Sequence, residues 1–404
     1  MPLKIAFPYP NYWPYVRRGA EHTIHDLAAY LGRRGHQVDI ITSKPGRPRV
    51  VKDGNVRVIY HKQASHPLMF QYIPLIRLYH FGLVASLEIM RSDYDVAHLM
   101  SYSEVLVAPF LQRFRKLPYL FHLIVREHWW PSRFDRWSFD QMIRRADMVA
   151  ALTPKWAEHE SAHYGVPVTV LPPPVDLATF RPVSQRDPRR PQVLFTSDVG
   201  DPRKGGALLL KAWDEIHRRC PEAVLVLAGP FGIAGFHPEV VTNSMLGQFD
   251  LIRDPDARRA VEVRGPGLVE NLPRQYAEAA VTVMPSIDEA FGMVLVESLA
   301  CGTPVVCSSD GGSGEIVTSS EIGATVPVNG VLDTLDAKRA HDVAEAVLYG
   351  IELSRQSGTA GRCREWASQY SLERVGLQAE ALYTKMVDNR RSSSATLVAG
   401  GIDR

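Results

Sequence analysis

The feature that most constrains this chain is a rhythm that runs through its 404 residues twice. Short β-branched or apolar runs alternate with segments whose apolar residues recur at helical spacing. In the first round, 3–7 reads as a strand. The segment 21–34 follows with Ile24, Leu27, Ala28 and Leu31 on one helical face, and Gly35 closes it. Further strands are expected at 37–42, 56–60, 95–98, 119–122, 148–152 and 168–171. Alternation of this kind builds a mainly parallel sheet with helices on its faces.

The first round stops at Leu171-Pro172-Pro173-Pro174, which continues neither a helix nor a central strand. A polar, proline-bearing stretch, 181–191, comes soon after. The second round has strands expected at 192–196, 223–228, 261–264, 281–284 and 304–307, and helices at 205–218 and 293–300. The expected fold class is therefore α/β, with two Rossmann-like doubly wound domains. The expected boundaries are 1–174, 175–371, a terminal helix within 372–390, and a mobile tail over 391–404 that contains Ser392-Ser393-Ser394 and Gly400-Gly401. No tandem repeat is present.

Composition excludes some functions. A hydrophobic share of 45% and a charged share of 22% describe an ordinary soluble globular protein. The formal charge of +2, without a basic stripe, argues against a nucleic-acid partner. The N-terminus lacks the apolar core of a signal peptide. The most apolar stretch, 68–90, is interrupted by Gln71, Pro74, Arg77, His80 and Glu88, so a buried or half-buried helix is expected rather than a membrane span. None of Cys220, Cys301, Cys307 and Cys363 forms a CxxC pair, and buried free thiols in a reducing compartment are expected.

In open α/β sheets ligands bind beyond the carboxyl ends of the strands, so the loops after strands carry the chemistry. The segment Pro285-Ser286-Ile287-Asp288-Glu289-Ala290-Phe291-Gly292-Met293-Val294-Leu295-Val296-Glu297 follows a strand and opens a helix. Gly292 permits close backbone approach, and the helix start offers amides to a phosphate. Glu289 and Glu297 are placed to accept hydrogen bonds from sugar hydroxyls. Two glutamates alone would be read as a helix-start acid and a surface residue.

Asp201-Pro202-Arg203-Lys204-Gly205-Gly206 is a second strand-to-helix loop, and its lysine suits a diphosphate. Gly19, in Arg17-Arg18-Gly19-Ala20-Glu21, lies at the first strand-to-helix turn without a G-x-G-x-x-G fingerprint. His122 ends a strand; a lone histidine there is ordinarily structural. Asp254-Pro255-Asp256 reads as a charged loop rather than a metal site. The loop with Tyr9, Tyr12, Trp13, Tyr15, Arg17 and Arg18, with Lys44, Arg47 and Arg49 nearby, suits sugar stacking and anion binding. Trp129 and Trp130 extend that surface. A lipid-reading patch facing a membrane and a packed aromatic loop with solvated arginines are the alternatives.

Taken together, Glu-Ala-Phe-Gly, the helix after it and Ala300-Cys301-Gly302-Thr303-Pro304-Val305-Val306 resemble the donor site of the GT-B retaining glycosyltransferases of family 4. The resemblance runs from the Gly19 loop to the terminal helix and implies two domains facing a cleft, with that helix crossing back to the N-terminal domain. It implies that Glu289 contacts the transferred sugar and Glu297 holds the ribose. Phe291, Gly292, Met293 and Val294 present backbone to phosphate or sugar, and Lys204 binds the diphosphate, with Arg203 beside it. Gly19 approaches the diphosphate, and His122 points at the donor sugar. Tyr12, Trp13, Arg17, Arg18 and Arg47 belong to the acceptor side. Gly311, Gly312, Glu315 and Asp176 match family positions that read as structural.

Two departures stand out: Arg18 replaces the first glycine of the family's Gly-Gly loop, and Asp198 stands where an arginine is usual. The implied activity is transfer of a sugar, with retention, from a nucleoside-diphosphate sugar to a hydroxyl of a sugar, lipid-linked or small-molecule acceptor. No metal or other cofactor is required, because lysine, arginine and helix dipoles can neutralise the leaving group. A cytoplasmic location is expected, with peripheral membrane contact through the N-terminal domain as an option. A nucleotide-sugar epimerase or hydrolase of the same fold, or a non-catalytic nucleotide-sugar binder, are the alternatives.

Overall fold

The computed structural model describes residues 1–15, 19–44, 46–63, 76–101, 117–124, 133–182, 186–197, 199, 201–229, 248–264, 271–287, 289–328 and 336–399. Two compact units emerge: Met1–Pro174 with Leu372–Arg404, and Val175–Ser371.

The first unit is built on β1 (Lys4–Pro8), β2 (Gln37–Lys44), β3 (Arg49–Asp53), β4 (Val56–Lys62), β5 (Val96–Leu99), β6 (Tyr119–Leu123), β7 (Met148–Ala151) and β8 (Val168–Val170). They lie in the order β3-β4-β2-β1-β5-β6-β7-β8. Every pairing is parallel except that of β3 with β4. Parallel strands need both faces covered, and β5 and β6 are buried at every residue. The described helices before the last are α1 (Gly19–Arg33), α2 (Ile76–Met90), α3 (Arg133–Arg145) and α4 (Pro154–Tyr164).

Helix α1 turns Ile24, Leu27, Ala28 and Leu31 inward, the face that the spacing predicts. They meet Leu372, Val375, Ala379, Tyr383 and Met386 of the terminal helix in one core. That helix runs Leu372–Ala399, past the end expected at 390; residues 400–404 lie outside the described residues. Arg390 and Arg391 tie its later turns to Asp147 and Asp95, residues that precede β7 and β5.

In the second unit β9 (Gln192–Phe195), β10 (Val224–Leu227), β11 (Val261–Val263), β12 (Val281–Met284), β13 (Val305–Ser308) and β14 (Gly323–Val326) are parallel throughout. Their order is β11-β10-β9-β12-β13-β14. Around them lie α5 (Gly206–Arg219), α6 (Pro255–Arg259), α7 (Leu272–Glu278), α8 (Met293–Ala300), α9 (Ala337–Arg355) and α10 (Thr359–Ala367); the terminal helix is α11. Fully buried Trp213 of α5 anchors the core and donates from Nε1 to Ala257 O at 2.8 Å. Asp254 caps α6, its carboxylate accepting from Asp256 N–H, so Asp254-Pro255-Asp256 starts a helix and is not a loop.

In the strand order, β9 has β10 on one side and β12 on the other, and the direction of winding reverses between β9 and β12. Such a switch point opens a crevice at the carboxyl ends of its two strands. The loops leaving β9 and β12 are those that carry Lys204 and Glu289. No helix among the described residues is long and apolar enough to cross a membrane. All four cysteines are buried and free.

Candidate functional site

Three loops of the second unit are tied together at the switch point. The loop after β9 makes a 3-10 turn at Pro202–Lys204, capped by the Asp201 carboxylate. Its Arg203 O accepts from Ile287 N–H at 2.7 Å in the loop after β12. That loop in turn presents Glu289 O to Gly312 N–H of the loop after β13, also at 2.7 Å. Gly205 makes the first contact possible. It has φ 73°, and a Cβ there would lie 2.2 Å from Pro285 O. No other residue fits so close to a carbonyl.

Lys204 Nζ donates to Glu289 Oε2 at 2.7 Å, with the side chains 31% and 19% exposed. The pair is reachable from solvent, so each member can exchange partners. Arg203 faces its own loop: its guanidinium bonds Asp201 Oδ2 at 2.7 Å and is 72% exposed. Asp198 lies outside the described residues.

Gly292, in the left-handed region at φ 100°, turns the chain into α8. The first turn of any helix leaves amides that it does not itself use, and its dipole favours an anion there. Phe291 supplies backbone here; its ring is buried edge-on against Tyr370, with centroids 5.4 Å apart. Met293 and Val294 are half-buried, and Val294 packs on the core patch around Tyr276.

One turn further along α8, Glu297 is only 8% exposed. Burial pushes its carboxyl up to about 7, and the hydrogen bond from Tyr276 limits the rise. Tyr276 OH donates to Glu297 Oε2 at 2.9 Å. The chain pattern gave no sign of this partner, which lies 21 residues away on α7. Gly312 and Glu315 belong to the turn Ser313–Glu315 and its cap, and Gly311 has φ 71°. Asp176 makes a turn, its carboxylate accepting from Ala178 N–H at 2.9 Å and from Thr179 Oγ1–H at 2.6 Å.

The remaining sequence candidates belong to the first unit. Gly19 is exposed at the start of α1 and its carbonyl accepts from Thr23 Oγ1 at 2.9 Å. His122 is fully buried. Its Nε2 is 2.8 Å from Leu171 O, which only accepts, so Nε2 carries the proton and Nδ1 is the acceptor. His98 Nε2 therefore donates to His122 Nδ1 at 3.2 Å, and Tyr383 OH donates to His98 Nδ1 at 2.6 Å. Burial lowers the pKa of both rings, that of His122 to about 4, and they stay neutral at ordinary pH. The cause lies in the strand: His122 faces α11 through His98 and Tyr383, and all three side chains are fully buried.

Two aromatics of the loop after β1 are packed as well, while Tyr15 is exposed. Tyr12 is buried with its OH 3.0 Å from His25 Nδ1. Trp13 stacks on His25, centroids 3.9 Å apart, so that face is taken. Both line a cavity of about 690 Å³ with Tyr60, Arg33 and Arg49, between α1 and the β3–β4 hairpin. Arg47 is exposed, whereas Arg17, Arg18, Trp129 and Trp130 lie outside the described residues.

Residues 17–179 match the family Glycosyltransferase Family 4, and residues 178–347 match Glycosyl transferases group 1. A D-inositol 3-phosphate glycosyltransferase of Nocardiopsis dassonvillei is 34% identical over 202 residues, 46% of each chain. One from Paenarthrobacter aurescens is 26% identical over 375 residues, 85% of this chain and 88% of that protein. The chain spans about half the length of the first such relatives it matches. Sucrose-phosphate synthase from Thermosynechococcus elongatus superposes with a TM-score of 0.75 at 21% identity, over 96% of this chain and 100% of that one. Anabaena HepE in complex with UDP-glucose gives 0.67 at 19% identity, over 95% and 100%. These structures share a two-domain α/β fold of the GT-B type with this chain.

Proposed function

This chain belongs to the group 1 glycosyl transferases of family 4, and from that premise we propose that it moves a sugar, with retention, from a nucleoside-diphosphate sugar to a hydroxyl acceptor. The observation that carries the reading is the Lys204–Glu289 pair, set at the β9/β12 switch point in front of the α8 N-terminus.

Each part has a chemical task in this reading. The α8 amides and Lys204 receive the diphosphate and stabilise the charge that grows on it as the glycosidic bond breaks. Lys204 leaves Glu289 to do so, and Glu289, released, accepts hydrogen bonds from the sugar hydroxyls. Glu297 takes the ribose. The departing diphosphate oxygen accepts the acceptor's hydroxyl proton on the face it leaves, which gives retention without a covalent glycosyl-enzyme. No metal enters this scheme. The donor is proposed to be a uridine- or other nucleoside-diphosphate sugar, in keeping with the UDP-glucose bound to HepE. A phosphorylated cyclitol is the first acceptor to try, given the names of the relatives. The four free thiols suit a reducing, cytoplasmic setting.

The test is nucleoside-diphosphate release from UDP-, GDP- and ADP-sugars, with and without inositol phosphate and simple sugars. Release that requires an acceptor and yields a glycosylated product of unchanged anomeric configuration supports the reading. Equal release without any acceptor would mark a hydrolase, and no release from any donor would leave transfer without support.

A further inference from the structure

We propose that Tyr276 is a positioning residue for the donor site, its phenol holding Glu297 ionised and turned to receive a nucleotide's ribose. This rests on the reading above that Glu297 meets that ribose.

The geometry leaves the phenol little choice. Tyr276 is fully buried on α7, and its ring packs among Leu194, Val226 and Cys301, with Phe180 beside it at 6.2 Å between centroids. Its backbone is fixed as well. Thr303 Oγ1 donates to Tyr276 O at 2.6 Å and itself accepts from Arg186 Nη2 at 2.6 Å. Arg186 Nε also donates to Ala277 O at 3.2 Å. A chain of bonds therefore runs from the segment before β9 through Thr303 and Tyr276 to Glu297. It ends in an O–H aimed at Oε2, and Oε1 remains as an acceptor for a ligand hydroxyl.

A phenol that donates favours the carboxylate over the acid. Burial pulls the other way more strongly, and the balance leaves the Glu297 carboxyl at about 7. Burial also raises the Tyr276 phenol far above its usual range, so it remains a donor at any working pH. The groups around the pair are few. Thr196 faces the phenol, and the Cys301 thiol, pushed up to about 12 by burial, stays neutral. Arg364 lies towards Cys301 and is spent on the carbonyls of Ala300, Phe180 and Leu177 at 2.8–2.9 Å. None of these substitutes for the phenol.

A hydrogen bond to a charged group shifts an ionisation constant by about tenfold, about one pH unit. The first measurement is a pH titration of the full chain labelled with 13Cδ-glutamate. The Glu297 signal is assigned by its loss in Glu297→Gln. In Tyr276→Phe the midpoint should rise by about one pH unit; an unchanged or lower midpoint overturns the proposal. Should Tyr276→Phe not fold, 3-fluorotyrosine throughout the wild-type chain gives a stronger donor. It should lower the midpoint, and no change would again overturn the proposal.

The second measurement is calorimetric binding of UDP, with GDP and ADP alongside, from pH 5.5 to 8.5. Wild-type affinity should fall as pH drops through the Glu297 midpoint. The Tyr276→Phe curve should be displaced to higher pH, about fivefold weaker at pH 7, approaching tenfold at the acidic end and converging with wild type at the alkaline end. A role in packing alone would weaken binding equally at every pH and would overturn the proposal. If Glu297→Gln binds all three nucleotides as the wild type does, with the same pH dependence, the ribose reading itself fails and takes the positioning role with it. A Glu297 contact that holds while the midpoint stays put removes the positioning role alone.

Discussion

At the residue scale, Lys204 and Glu297 hold charge in opposite ways. Lys204 is partly exposed and paired with Glu289, and such a pair contributes little to stability, about 0–1 kcal/mol. In the proposed reaction its worth lies in transfer. Lys204→Ala should lower the transfer rate by about 100-fold or more while the melting temperature barely moves, checked by initial rates and thermal melts on one preparation. Glu297 is the reverse case. Its carboxyl titrates near 4.5 when unfolded and about 7 when folded. Both states are neutral at low pH, so the penalty is absent below about pH 4.5 and complete above about 7, where it reaches about 3 kcal/mol. Glu297→Gln should therefore stabilise the protein by about 1–3 kcal/mol at pH 8 and hardly at all at pH 4.5. Urea unfolding at the two pH values decides this. A variant that is less stable at pH 8 would contradict the strained carboxylate.

At the element scale, the contact between the loops after β9 and β12 depends on Gly205. Gly205→Ala places a methyl 2.2 Å from Pro285 O at a positive φ. It should destabilise the second unit by about 2–4 kcal/mol and weaken nucleotide binding, read by melts and calorimetry. Gly361 is the control: it lies inside α10 with open space where a Cβ would stand. Gly361→Ala should be neutral or stabilising by up to about 1 kcal/mol.

The same elements show what a sequence reveals. Strand β12 and helix α8 were legible because an apolar run sits between turn residues and a glycine marks the helix start. Strand β3 was not, because Arg49–Asp53 is exposed at every residue and carries no alternation. Strand β14 is short and opens on Gly323, which hides it in the same way. Helix α11 outran its expected end because ion pairs distant in sequence, Arg390–Asp147 and Arg391–Asp95, fasten turns of weak helical composition. Within the site, the loop residues Lys204, Glu289 and Gly292 were visible in their motifs. Tyr276 and Arg186 were not, since a residue that steadies a site through tertiary bonds leaves no local pattern.

At the scale of the whole molecule, the two units respond differently to acid. His98 and His122 are buried and neutral in the first unit, and their pKa values lie below the usual 6.5, that of His122 at about 4. Unfolded imidazoles would be protonated at mild acidity, so the stability they allow is present above about pH 6.5. It is lost as pH falls through about 4, by about 3 kcal/mol for His122 alone. The first unit should melt earlier as pH falls from 6.5 to 4, and His122→Asn should flatten that dependence, as followed by hydrogen exchange resolved along the chain. Cutting the chain should be just as uneven. Residues 175–371 form a continuous unit and are expected to fold alone, whereas 1–174 lack the α11 wall of their core and should bind a dye that reports exposed apolar surface.

Helix α11 also sets an order in time. A chain is made from its N-terminus at about 5–20 residues per second, and domains ordinarily close in the order they emerge. Here the first unit to be synthesised has to wait for Leu372, Val375, Ala379, Tyr383 and Met386 before its core can shut. The second unit, made later, is complete sooner. For some tens of seconds the nascent sheet of β1 to β8 has only α1 over the part of its face that α11 will share, and exposed apolar surface of that kind is what aggregation and chaperones act on.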